Sequence, residues 1–231
     1  MADFSRRSTE KEMMDDFSLD PAVIHPILSE LEIINRLLGG YNIFFDALKK
    51  LSLRDEMLIC DWGCGGGDSL RKIAEWSRKV DLDLDLIGID ASEAAIDYAE
   101  KKAISYPEIK FIHADVLSKA VKPKQFDIII SSLFTHHFDE DSWIRLVQKM
   151  IECARDAVII NDLHRHWLAY YSITALTAMF SKSPMVKNDA KLSVLRGFTR
   201  KELEVMLQKA GISRYTIKWM WAFRWQIIIY K

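Results

Sequence analysis

The chain has 231 residues, enough to bury a sizeable core and close to the upper end of what a single core organises. Its 32 Lys plus Arg against 33 Asp plus Glu leave no broad positive field to steer a nucleic acid or an anionic membrane. The opening MADFSRRSTEKEMMDD lacks an apolar secretory core, and the uncharged stretch from Trp167 to Phe180 is too short to span a bilayer, so a cytoplasmic protein without membrane insertion is expected. Cys60, Cys64 and Cys153 are too few and too unevenly spaced for a zinc site or a disulfide framework, and no metal is expected.

In chain order, residues 22–38 repeat apolar positions at three and four, which predicts a helix ending at Gly39 and Gly40, with a second helix from about Tyr41. Met57 to Asp61 predicts a short buried strand, followed by a glycine-rich loop and a helix from Ser69 to about Lys79. Further strands are predicted at LIGID (86–90), FIHAD (111–115), FDIIISS (126–132) and DAVIINDL (156–163), separated by helices from Ser92 to about Ala103 and from Glu140 to Cys153. Their near-continuous Ile and Val imply burial on both faces of a parallel sheet. A helix from Thr199 to Ala210, closed by Gly211, leads into RYTIKWMWA and FRWQIIIYK, predicted to form an antiparallel hairpin at the sheet edge. The fold class is therefore α/β and doubly wound: a mostly parallel seven-stranded sheet, a C-terminal antiparallel hairpin, N-terminal helices over 1–54, and a helical lid insertion over 164–197 within a main domain of 55–231.

The glycine loop ICDWGCGGGDS sits at the carboxyl end of a strand, where ligands bind in open α/β sheets. Glycine lets a ligand approach the main chain, and the helix that follows offers free N–H groups to an anionic end. A dinucleotide fingerprint from Gly63 would need glycine at Asp68, and one from Gly65 would need it at Leu70; no Lys follows for a phosphate loop either. What accompanies the loop is acidic: Asp61 before it, Asp90 at the end of the next strand, and Asp115 after that. A carboxylate at Asp90 can accept two ribose hydroxyls, Asp61 can meet an ammonium, and Asp115 can meet an adenine amino group; Asp90 and Asp115 can also simply cap the turns that follow.

With D61-W-G-C-G-G-G67, IGIDAS around Asp90, H113-A-D-V-L117 and F126-D-I-I-I-S-S-L133, the chain resembles class I S-adenosylmethionine-dependent methyltransferases over roughly residues 55–231. The resemblance implies S-adenosylmethionine as cofactor. It assigns Asp61 and Gly63, Gly65 and Gly67 to the methionine part, Asp90 and Ala91 to the ribose, Asp115 and Val116 to the adenine, and Ser131 to the cofactor wall. It extends loosely, through the N-R-L-L-G-G and D-L-H-R-H passages, to bacterial small-molecule O-methyltransferases of polyketide and quinone pathways, which implies an aromatic or phenolic hydroxylated acceptor.

Phenolic oxygen gains from a base, and four histidines fall near the rim: His136, His137, His164 and His166. His164 is the leading general-base candidate and His136 the second, while Asn161, His137, His166 and Arg196 are candidates for substrate contact. Each has a structural alternative, as a cap, a packing group or a surface pair. The apolar WLAYYSITALTAMFSKSPMV can cover a pocket or pack on another element or subunit, and KNDAK (187–191) is expected to face solvent. A small-molecule substrate is expected, on a monomer or homodimer, without nucleic acid. Transfer to carbon or nitrogen, and a non-catalytic cofactor-binding protein, remain as alternatives.

Overall fold

The computed structural model describes residues 2–16, 19–118 and 121–231. Its seven-stranded sheet has the order β3-β2-β1-β4-β5-β7-β6, formed by β1 (Met57–Trp62), β2 (Leu84–Asp90), β3 (Ile109–His113), β4 (Phe126–Ser132), β5 (Ala154–Leu163), β6 (Tyr215–Met220) and β7 (Arg224–Tyr230). The first five run parallel. β7 is antiparallel to both β5 and β6, so the hairpin adds to the β5 side and β6 forms the edge.

Helices cover both faces because the central strands are apolar on both sides. Ile128 and Ile130 of β4 pack toward α2 (Asn42–Leu48) and α3 (Asp68–Lys79), whose Phe44, Leu48, Leu70 and Ile73 are almost fully buried. Ile129 points the other way, into a core with Trp143, Leu146 and Met150 of α5 (Glu140–Cys153) and Leu203 and Leu207 of α8 (Arg200–Lys209). Each such side chain contributes about 1.5–3 kcal/mol. Since α2 supplies core residues, the N-terminal helices are continuous with the main fold. α1 (Pro21–Leu37) is started by Pro21 and by Asp20, which accepts from the Ala22 N–H at 2.7 Å; it packs Ile24 and Leu28 on Ala94, Ala95 and Tyr98 of α4 (Glu93–Lys102).

The insertion at 164–197 consists of α6 (Trp167–Phe180) and α7 (Pro184–Arg196), as its helical reading requires. α6 turns Trp167, Tyr171, Met179 and Phe180 outward, each more than half exposed. Two expectations are corrected. The third strand begins earlier than 111 and ends at His113, which leaves Asp115 in the following turn. KNDAK does not face solvent: Asp189 is buried and accepts the N–H groups of Met13 and Met14, both at 3.0 Å, so this charge anchors the N-terminal segment.

Candidate active site

At the carboxyl end of β1, Asp61 is 1 % exposed and its Oδ1 has no hydrogen-bond partner among the described residues. Burial, then the carboxylates of Asp68 and Asp90, push its pKa well above the usual range. The turn that follows needs glycine at Gly63, where φ is 69° and an added Cβ would stand 2.3 Å from the Phe134 ring. Gly65 donates its N–H to Asp90 Oδ2 at 2.8 Å, while Asp90 Oδ1 accepts from the Ser92 N–H at 2.9 Å. One carboxylate thus clamps the glycine loop to the end of β2. Burial raises the Asp90 pKa, and these backbone donors oppose the rise.

The N-terminal helices hold the same loop from above. Asp68 Oδ2, at the start of α3, accepts from the Tyr41 hydroxyl at 2.7 Å and from Asn35 Nδ2 at 3.1 Å. Arg71 donates to Gly66 O at 2.6 Å and pairs with Glu32 of α1 at 2.9 Å. Further along the rim, the Ser131 hydroxyl is fully buried and donates to Trp62 O at 2.9 Å. His113 Nε2 donates to Ala91 O at 3.0 Å, Asp115 is exposed and caps the Leu117 N–H at 2.8 Å, and Val116 is buried in the core.

Beyond β4, His136 and His137 lie in a single 3-10 turn, Thr135–His137. Asp162 of β5, completely buried, accepts four times: from His136 Nδ1 at 2.7 Å, the His136 N–H at 3.0 Å, the Thr135 hydroxyl at 2.7 Å and the Leu163 N–H at 2.7 Å. On its other side His136 Nε2 faces the buried Glu12 carboxylate at 3.4 Å. Burial alone would lower the His136 pKa, but Asp162 and then Glu12 outweigh it and hold it near 9; the same pairing holds Asp162 near 2 against its own burial. The ring is therefore charged at neutral pH, with both nitrogens directed at carboxylates. His137 Nδ1 meets Asp15 at 2.6 Å, and the buried Arg196 donates to His137 O at 2.6 Å and to Asp15 at 2.8 Å. Glu12, His136 and His137 bring ligand-type atoms within 4.8 Å of one another, yet Arg196 Nε stands 3.9 Å from Glu12 and already supplies a positive charge there.

His164, just past β5, differs in character. It is half-buried among the rings of Trp225 (4.7 Å), His166 (5.3 Å) and Phe223 (6.5 Å), with no partner for Nδ1 among the described residues. Burial, then His166 and Arg165, lower its pKa to about 4, so the imidazole is neutral at pH 7. His166 caps α6 by accepting the Leu168 N–H at 3.2 Å, and Asn161 is fully buried, donating to the Ser132 hydroxyl at 2.9 Å.

The profile of a methyltransferase domain family matches residues 59–157, which spans the glycine loop, the acidic end of β2, the turn after β3 that carries Asp115, and β4. Over those residues the chain is similar to a methyltransferase domain. Its fold is that of an S-adenosylmethionine-dependent methyltransferase from Aquifex aeolicus (TM-score 0.64, 16 % identity, 92 % of this chain and 98 % of that one) and of human N-acetylserotonin methyltransferase in complex with S-adenosylmethionine (0.65, 14 %, 92 % and 56 %). In sequence it is similar to a carboxy-S-adenosyl-L-methionine synthase of Nautilia profundicola, 26 % identical over 210 residues, covering 82 % of this chain and 85 % of that one.

Around this rim the structure gathers residues that motif reading passes over. Glu12, Asn35 and Tyr41 reach it from before the sheet, Arg224 from the last strand, and Asp68 from directly after the glycine loop. Arg224 had a readable signal: in RWQIIIY, Arg224 and Gln226 fall two apart on one face of a buried strand, where apolar side chains are the rule. Glu12, Asn35 and Tyr41 are brought in by tertiary packing alone.

Proposed function

We propose that this methyltransferase transfers the methyl group of S-adenosylmethionine to a hydroxyl of a small aromatic or phenolic acceptor. Asp61, with its free Oδ1, receives the cofactor's ammonium, the loop from Gly63 to Gly67 lies along its methionine part, and Asp90 with Ala91 receives the ribose. Asp115 and Val116 flank the adenine, and Ser131 fixes the β4 wall through Trp62 O. The cofactor supplies an electrophilic methyl group, so the chain's own tasks are alignment, exclusion of water and removal of the acceptor's proton.

The observation that carries the reading is His164: a neutral imidazole, set among aromatic rings at the carboxyl end of β5, with an orphaned nitrogen. Such a ring can accept the phenolic proton at its free Nδ1, as a methyl group leaving the cofactor's sulfur for that oxygen would require. His136, charged and enclosed by Asp162 and Glu12, supports the rim from behind, while Arg196 and His137 hold the N-terminal segment against it. Asn161 and His166 flank the acceptor space.

The test is a methyl-transfer screen over hydroxylated aromatics with calorimetric binding of S-adenosylmethionine. Transfer to a phenol that falls about 10²-fold or more in His164→Ala, with cofactor affinity unchanged, supports the reading. Transfer that survives the substitution removes His164 as the base. A second reading has the chain make carboxy-S-adenosyl-L-methionine, as the name of its Nautilia relative says of that protein; the 82 % coverage of this chain favours it. Mass spectrometry of the cofactor product separates the two.

A further inference from the structure

Arg224 opens β7 and is 2 % exposed. Neither its Nε nor its Nη1 has a hydrogen-bond partner among the described residues, and no carboxylate there pairs with it. Burial lowers its pKa to about 10, while Asp162, Asp68 and Tyr41 act on it from a distance in the opposite direction. A buried, unpaired guanidinium is costly, because charge is taken from water without a partner to replace it. Two residues further along the same face, Gln226 shows what structural satisfaction looks like: it donates to Ile43 O at 2.7 Å and to Asp46 at 2.9 Å, and accepts from Lys50 at 3.2 Å.

The orphaned groups converge. Gly40, between α1 and α2, lies where an added Cβ would stand 1.8 Å from Asn35 Oδ1 and 3.0 Å from Arg224 Nη1, and Asn161 Nδ2 reaches Gly40 O at 3.5 Å. Asn35 Oδ1 and Asn161 Oδ1 are also buried without partners among the described residues. Asn35 contacts Asp68 at the start of α3, so the cluster adjoins the glycine loop. A planar cation with two free N–H directions, beside two amide acceptors, matches a planar anion that carries a hydrogen-bond donor next to it.

We propose that Arg224, with Asn35 and Asn161, forms a buried receptor for a ligand carboxylate flanked by an ammonium or hydroxyl donor. Two sources have this chemistry: the methionine end of the cofactor, and an amino or hydroxy acid group on the acceptor. The inference rests on the reading above for its account of which ligand lies beside the glycine loop.

The test uses the full chain and its Arg224→Gln, Arg224→Met and Arg224→Lys variants. Calorimetry is run with S-adenosylmethionine and with its decarboxylated form, and thermal unfolding is followed with and without formate at constant ionic strength, both without cofactor and with it saturating. If the cofactor's carboxylate is the occupant, Arg224→Gln weakens S-adenosylmethionine about 10- to 100-fold, leaves the decarboxylated form unchanged, and Arg224→Lys restores part of the loss. If the acceptor's carboxylate is the occupant, cofactor affinity is unchanged, and formate raises the Tm of the cofactor-bound protein by a few degrees, an effect absent from Arg224→Gln. In both cases Arg224→Met without ligand unfolds at or above the temperature of the parent, since it removes an unpaired buried charge. A ligand-free Arg224→Met that unfolds well below the parent, or an Arg224→Gln whose responses to cofactor and formate match the parent's, overturns the proposal. Failure of the parent to bind S-adenosylmethionine defeats the methyltransferase reading separately, and formate protection then tests the receptor by itself.

Discussion

Asp162 and Arg224 sit on opposite faces of the same pair of strands, β5 and β7, and both are charged groups taken out of water. Asp162 accepts four hydrogen bonds and is paired with a charged His136, itself flanked by Glu12 and backed by Arg196. Arg224 has no such partners among the described residues. Burial is the same on both faces, so the difference lies in what each group is for. The Asp162 face locks the N-terminal segment to the rim, and the Arg224 face keeps its hydrogen-bonding capacity for something that is not part of the chain.

The contrast is broken most severely by Asp162→Asn. This leaves His136 charged and buried with one of its two carboxylates gone, and should cost about 3–5 kcal/mol in urea unfolding, whereas Arg224→Met should cost nothing. A near-equal loss from both variants would mean the two faces are alike.

Next in size is the pH dependence of the locked face. The His136 pKa is raised from 6.5 to about 9, so its stabilisation is fully present below pH 6.5 and is lost as pH rises through 9. The shift is worth about 3 kcal/mol. At the acid end the Asp162 pKa is lowered from 3.8 to about 2, so its stabilisation is present above pH 3.8 and is lost as pH falls through 2. Urea midpoints measured between pH 5 and 10 should fall across the upper window in the parent and stay flatter in His136→Gln.

Smaller effects concern the cofactor end. Asp90→Ala removes the clamp between Gly65 and Ser92 together with the proposed ribose acceptor, and S-adenosylmethionine affinity should drop by about 10²-fold, or about 2.7 kcal/mol, by calorimetry. Asp61 carries a raised pKa, so receiving a cationic ammonium should bring its pKa down and release a proton. Titrations in buffers of different ionisation enthalpy should therefore differ in the parent and agree in Asp61→Asn. At the small end, Trp221→Ser, at an exposed turn, should change stability by less than about 0.5 kcal/mol.

The glycine-loop half of the rim was legible because its information is local. The run from Asp61 to Gly67 is contiguous, Asp90 ends an apolar strand, and the alternation of strands and helices implied the parallel sheet that forms. The other half of the rim joins groups far apart in sequence: Arg7 donates to His136 O across 129 residues, and Met13 N–H reaches Asp189 across 176. No periodicity encodes such pairs. KNDAK misled for a related reason, since a charged run resembles a solvated face until a backbone from elsewhere arrives to use the carboxylate. Asp115 went into the turn after β3, where a short carboxylate readily caps a neighbouring N–H, an outcome that spacing could not separate from adenine contact.

Cys64 lies inside the glycine loop at 5 % exposure, and burial, then Asp90 and Asp61, hold its thiol pKa well above the ordinary value. Cys60 and Cys153 are equally sealed. A folded molecule therefore offers alkylating reagents almost no thiolate, and modification must wait for a fluctuation that opens the backbone. The labelling rate at position 64 becomes a clock for the glycine loop, read against the clocks of Cys60 in β1 and Cys153 at the end of α5. Any ligand that settles on the loop should slow the first clock more than the other two.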